Sequence, residues 1–171
     1  MEANTQFARE MARRTIKKYG LDSVPINLDV IFEKEGYVKV EINKPNGVNG
    51  SITHIPGKGT FVAINKANPP NRIRFTLAHE LGHIFLHHHK RDVYDGEKYR
   101  EMDDVDLEEP PSCAPEKETE ANAFASELLM PLEQLKKYAK LGYDMDKLAD
   151  IFQVSKHAMS VAYTSNWKYL K

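Results

Sequence analysis

The sequence predicts an α+β fold: a small three-stranded antiparallel sheet packed on a buried helix, with a helical segment at the C-terminal end. Two observations carry this prediction. Apolar residues recur at helical spacing in several stretches. Between the early helical stretches and the long one that follows them, three short segments alternate apolar and polar residues. The chain has 171 residues, 41% of them hydrophobic, which suffices for one domain with its own core. We expect a domain over residues 1–140 and a helix-turn-helix-like segment over 141–171 packed on it.

The first part of the chain is predicted to form two helices and then three strands. Helical spacing of apolar residues up to Tyr19, followed by Gly20, indicates the first helix over residues 5–19. A shorter helix follows Pro25 and ends at Gly36. Alternating residues then indicate strands, separated by Pro- and Gly-containing turns, at 37–42, 51–55 and 60–64.

The second part is predicted to be mainly helical. A long helix from about Arg72 to His88 is apolar around almost its whole circumference, which indicates a buried helix. Further helices are expected over residues 116–130 and from Pro131, and near the end Ser155 is placed to cap the second helix of a helix-turn-helix-like pair. Residues 91–115 are rich in Asp and Glu, and we expect an acidic loop that gates the site or recognises a basic partner.

Composition excludes several classes of function. With 24 Lys and Arg against 25 Asp and Glu, the net charge of -1 does not indicate a globally basic nucleic-acid-binding protein. One cysteine, Cys113, cannot form an internal disulfide, and no apolar run reaches the roughly 20 residues of a membrane span. The first 19 residues lack an apolar signal core. We therefore expect a cytoplasmic protein that does not contact a membrane.

A metal-binding motif lies on the long predicted helix. His79 and His83 are four residues apart, so on a helix they share one face and can bind one ion. Glu80 is rotated by about 100° from His79 and can reach a metal-bound water without being a ligand. This His-Glu-x-x-His spacing is the zinc-protease signature, in which the glutamate is the general base. Gly82, between the two histidines, leaves room where a larger side chain would crowd the metal.

Zinc in such a site needs a third protein ligand, and the spacing leaves several candidates. His87 continues the series but lies about 12 Å from His79 along the helix axis. His89 is ten residues after His79, where metzincins place a third histidine, but Leu86 replaces the glycine that they need. The helix over 116–130 offers Glu118, nearer the centre of its apolar stripe, and Glu120, nearer the edge. Periodicity alone does not choose between these two glutamates.

Two longer motifs closely resemble those of the ImmA/IrrE family of metallopeptidases. They are Arg74-Phe75-Thr76-Leu77-Ala78-His79-Glu80-Leu81-Gly82-His83 and Glu120-Ala121-Asn122-Ala123-Phe124-Ala125-Ser126-Glu127-Leu128-Leu129-Met130-Pro131. The resemblance implies a zincin-like fold, with one zinc ion per chain bound by His79, His83 and Glu120. Glu118 is the reserve candidate for the third ligand.

The resemblance also implies a function: a site-specific endopeptidase that cuts a helix-turn-helix transcriptional repressor encoded on a phage or mobile element. Glu80 would then serve as general base, and Asn122 is one candidate to accept a hydrogen bond from a ligand ring. The sequence does not select the donor for the developing oxyanion from Tyr94, Tyr99, His87, His88 and His89.

Two alternatives belong to other classes of protein. One is a DNA-binding regulator that uses the C-terminal segment, but its second helix begins with only Lys156 and His157 as base-reading side chains. The other is a module that binds a repressor without cutting it and holds a structural metal. A structural site has no use for a general base at Glu80, so the enzyme remains the favoured interpretation.

Overall fold

The computed structural model describes residues 2–43, 49–87 and 114–170. The α+β class is confirmed: these residues contain three strands and seven helices. In chain order they are α1 (Thr5–Tyr19), α2 (Asp29–Glu35), β1 (Val38–Ile42), β2 (Gly50–Ile55), β3 (Gly59–Asn65), α3 (Pro70–Phe85), α4 (Pro115–Leu129), α5 (Leu132–Ala139), α6 (Met145–Phe152) and α7 (Lys156–Leu170).

The sheet is mixed, so the prediction of an antiparallel sheet was wrong for one of its strands. Its order is β1-β3-β2, with β3 in the centre. β2 pairs antiparallel with β3, with Ser51 opposite Ala63, whereas β1 pairs parallel with β3, with Val38 opposite Phe61. Alternation along a strand reports which residues share a face and says nothing about the neighbouring strand or its direction.

Helix α3 packs on the sheet and carries the predicted His-Glu-x-x-His motif. It begins at Pro70 and ends at Phe85, three residues before the predicted end at His88. His87 follows with a φ of 58°, which turns the chain out of the helix. Seven residues of α3 are buried, which confirms the prediction of a buried helix: Thr76, Leu77, Ala78, Glu80, Leu81, Gly82 and His83.

Helix α4 is packed between α3 and α1. Its side toward α1 is held by two polar contacts: Glu120 accepts a hydrogen bond from the Asn4 amide, and Glu127 pairs with Arg13 at 2.9 Å. Because the contacts follow the same order along both helices, α1 and α4 run in the same direction. The buried Glu127 carboxylate also accepts a bond from the Leu132 amide, so this side chain joins α1 and α4 to the first turn of α5.

A glycine permits the close approach of α3 and α4. A Cβ atom on Gly82 would lie 3.1 Å from the carbonyl oxygen of Ala121 and 3.2 Å from Phe124 Cδ1. This corrects the interpretation of Gly82 as room for the metal, because the missing side chain faces the neighbouring helix. Absence of a side chain at residue 82 therefore sets the distance between the two helices.

The C-terminal residues form two further helices. Asp144 caps α6 by accepting a bond from the Lys147 amide, and Ser155 accepts one from the Ala158 amide at 3.1 Å, which confirms its predicted capping role. Pro131 precedes α5 instead of opening it. Within the described ranges, no helix has the length and apolar character needed to cross a bilayer. The division at residue 140 stays a prediction, and the predicted acidic loop lies outside the described residues except for 114 and 115.

Candidate metal centre

The two histidines of the motif point at one position beside α3. Their Nε2 atoms are 3.0 Å apart, and their rings lie edge to face with centroids 4.6 Å apart. His83 is buried, and the side chain of His79 is 16% exposed. Helical spacing of four residues produces this convergence, as the sequence predicts.

Glu118 completes the group from the neighbouring helix. Its two carboxylate oxygens lie 3.2 Å from His79 Nε2 and 3.3 Å from His83 Nε2. One ligand atom from each of the three residues lies within 4.8 Å of the others. Zinc bound tetrahedrally at 2.0–2.1 Å places neighbouring ligand atoms roughly 3.3 Å apart. Two imidazoles and a carboxylate are also ligands that zinc accepts, so the residues present fit the ion.

Glu120, the sequence-based choice for the third ligand, lies elsewhere on α4. Its Oε1 accepts a hydrogen bond from the backbone amide of Asn4 at 2.6 Å. Positions 118 and 120 are about 200° apart around a helix, so only one of them can face α3. The structure thus brings the reserve candidate, Glu118, to the histidines and directs Glu120 toward α1.

Glu80 lies beside this group in a protected position. It is 8% exposed, and burial, followed by the nearby negative charge of Glu118, raises the pKa of Glu80 to about 7. The first residue of β2 covers it: a Cβ on Gly50 would lie 3.0 Å from Glu80 Oε1 and 2.3 Å from Thr76 Cγ2. Gly50 thus lets the strand approach the carboxyl closely. No pattern of residues around Gly50 predicts this contact with Glu80.

Asn122 contacts the ring of His79 on the side away from the convergence point. Its Oδ1 lies 2.9 Å from His79 Nδ1, as the sequence suggested for one ligand ring. Of the candidate oxyanion donors, His87 is exposed just after the end of α3 and is not part of the candidate metal-binding group. The other four, His88, His89, Tyr94 and Tyr99, lie outside the described residues.

The fold and the site together define a class of protein. It is an α+β protein in which a buried helix presents a His-Glu-x-x-His motif to a glutamate from a second helix. The chain belongs to the Peptidase_M78 family, described as the IrrE N-terminal-like domain, which matches residues 36–163. This confirms the family resemblance of the sequence motifs, and membership suggests a peptidase.

Comparison with solved structures gives the same fold in a longer protein. A Mycobacterium tuberculosis transcriptional regulator superposes with a TM-score of 0.61 at 16% sequence identity. The match covers 90% of this chain and 45% of that one, so the chain spans less than half of the regulator's length. A comparison with curated proteins found no match.

Proposed function

We propose that this protein is a zinc-dependent, site-specific endopeptidase with a zincin-like arrangement of its helix and sheet. The observation that carries the proposal is the convergence of His79, His83 and Glu118 beside the buried Glu80. Three protein ligands leave a fourth position for water, which is the arrangement of catalytic zinc sites. A structural site would have a closed set of four ligands and no need for a buried carboxyl next to it.

The residues divide the chemistry between them. A zinc ion bound there supplies Lewis-acid activation of a water molecule and of the scissile carbonyl. Glu80 accepts the proton from the attacking water and transfers it to the nitrogen of the leaving amine, so that the peptide C–N bond breaks. Burial under Gly50 keeps this carboxyl out of bulk water, which favours a group that can both accept and donate a proton.

The proposed substrate is a helix-turn-helix transcriptional repressor, cut in the cytoplasm to relieve repression. Support for this comes from membership of the IrrE-like family and from the resemblance of both motifs to repressor-cleaving members. Support for a cytoplasmic location comes from the single cysteine of the chain.

We propose that helices α6 and α7 support the catalytic domain or dock the substrate, and that they do not bind DNA. Lys156, at the start of α7, pairs with Asp146 at 2.7 Å, and Asp144 and Asp150 add to the negative charge around it. These carboxylates compete with DNA phosphates for the lysine and repel the duplex. A DNA affinity that falls steeply with salt would contradict this assignment.

The experiment that tests the proposal uses Glu80→Gln, which keeps the size of the side chain and removes the base. Zinc-loaded protein is incubated with a purified helix-turn-helix regulator from the source genome, beginning with those encoded nearest to its gene, and mass spectrometry identifies any new terminus. We expect one cut with the parent protein, no detectable cut with Glu80→Gln, and equal zinc content in both. Cleavage that survives this substitution or zinc chelation would contradict the mechanism, and an intact regulator would contradict the substrate.

A further inference from the structure

The side-chain amide of Asn122 lies where its hydrogen bond can determine which ring nitrogen of His79 carries the proton and which one can bind a metal. His79 Nε2 faces Glu118 and His83, while Nδ1 faces Asn122 Oδ1 at 2.9 Å. A carbonyl oxygen only accepts hydrogen bonds, so the hydrogen between these atoms belongs to Nδ1. With that proton fixed, the lone pair of the neutral ring lies on Nε2, at the convergence point.

We infer that Asn122 is a positioning residue that holds His79 in the ring orientation and tautomer needed to bind the metal. Metal-binding histidines usually donate their second ring N–H to a fixed acceptor, which also makes the ligating nitrogen more basic. If the Asn122 amide were reversed, its NH₂ would donate to Nδ1. The ring proton would then lie on Nε2, where the metal must bind.

The position of Asn122 on α4 supports this role. Glu118 and Asn122 are four residues apart, so one face of α4 carries a ligand and the group that orients another ligand. Ala121, next to Asn122, lies against Gly82 in the contact between α3 and α4. The helix contact that brings Glu118 to the histidines therefore also brings Asn122 to the ring of His79.

The contact between Asn122 and His79 is not a consequence of burial of the Asn122 side chain. Asn122 is exposed to solvent, so its side chain could hydrogen-bond to water instead of to a histidine. A neutral acceptor also suits the local charge, because Glu80 and Glu118 already place two carboxyl groups beside the site. The amide thus orients the ring without adding a third carboxyl group.

The test compares zinc affinity in Asn122→Ala and Asn122→Asp with that of the parent protein, by competition with a chelator of known affinity. Asp retains an acceptor oxygen, whereas Ala removes it. Loss of such a partner costs about 10–100-fold in metal affinity, and the exposure of Asn122 favours the lower end of this range. We expect Asn122→Asp to lose much less zinc affinity than Asn122→Ala, because an acceptor oxygen persists. Glu120→Ala, two residues away and outside the group, is the matched control and should leave zinc affinity unchanged.

A second measurement separates ring orientation from general damage to the fold. In the zinc-loaded parent protein, NMR should detect a slowly exchanging His79 Nδ1–H, which Asn122→Ala should lose and Asn122→Asp should keep. Equal zinc affinities for Asn122→Ala and the parent protein, or equal losses in both variants, would overturn the inference. It rests on the metal site of the proposed function but not on peptidase activity. A parent protein that binds no zinc would overturn both, whereas zinc binding insensitive to Asn122→Ala would overturn this inference alone.

Discussion

Glu118 and Glu120 are separated by one residue on α4 and face different neighbours. Glu118 lies within 3.3 Å of both motif histidines, and Glu120 bonds to the Asn4 amide. Glu127, seven residues after Glu120 and therefore on the same side of the helix, pairs with Arg13 of α1. One face of α4 thus serves the candidate metal centre and another holds α1.

Substitution of the two glutamates should separate these roles. Glu118→Gln removes a charged ligand, so we expect zinc affinity to fall by about 100-fold or more, beyond the 10–100-fold typical of an orienting partner. Glu120→Gln should leave zinc affinity unchanged, and calorimetric titration of both variants with zinc measures the difference. The reverse pattern would assign the third ligand to Glu120, as the family resemblance suggested.

The sequence could predict the residues whose geometry is set within one helix. Helical periodicity places His79 and His83 on one face, because four residues make about one turn, and the His-Glu-x-x-His signature assigns Glu80 its role. The choice between Glu118 and Glu120 depends on how α4 is rotated against α3, which is set by packing around Gly82 and Ala121. The sequence of α4 alone does not determine how this helix is rotated against α3. The family motif pointed to the glutamate that the structure directs toward α1.

At the scale of whole elements, two glycines determine how closely the site is enclosed. Gly82 allows α4 to approach α3, and Gly50 allows β2 to lie on Glu80. The parallel pairing of β1 with β3 likewise depends on contacts distant in sequence, and alternation within β1 could not predict it. Each helix and strand could therefore be predicted from its own segment of sequence, but the contacts between them could not.

Gly82→Ala should weaken the site by pushing the helices apart. Alanine favours an isolated helix over glycine by about 1 kcal/mol, so propensity alone predicts a more stable protein. The new Cβ would lie 3.1–3.2 Å from Ala121 and Phe124, and the cost of overpacking, about 1–3 kcal/mol, should exceed the gain in propensity and leave a net loss of up to about 2 kcal/mol. Urea unfolding of the metal-free protein measures the stability, and zinc titration should show weaker binding as Glu118 withdraws. A stabilised variant with unchanged zinc affinity would contradict the packing argument.

At the scale of the whole molecule, the candidate centre joins helices that are distant in sequence. The candidate ligands come from α3 and α4, which residues 86–114 separate in the chain, while α1 packs on the other side of α4. A bound ion would therefore act as a crosslink between α3 and α4. Its binding energy would oppose unfolding, because the unfolded chain does not hold the three ligands together.

Zinc should consequently raise the melting temperature in a way that depends on this one site. A ligand present at 100 times its Kd stabilises the folded state by about 2.7 kcal/mol. For a chain of this size, that corresponds to a rise in Tm of roughly 5–10 °C. Differential scanning calorimetry should show the rise in the parent protein, its reversal by a chelator, and no rise in His83→Ala, in which one ligand is missing. An equal rise in His83→Ala would mean that zinc stabilises the protein through other side chains, and the crosslink between α3 and α4 would then be rejected.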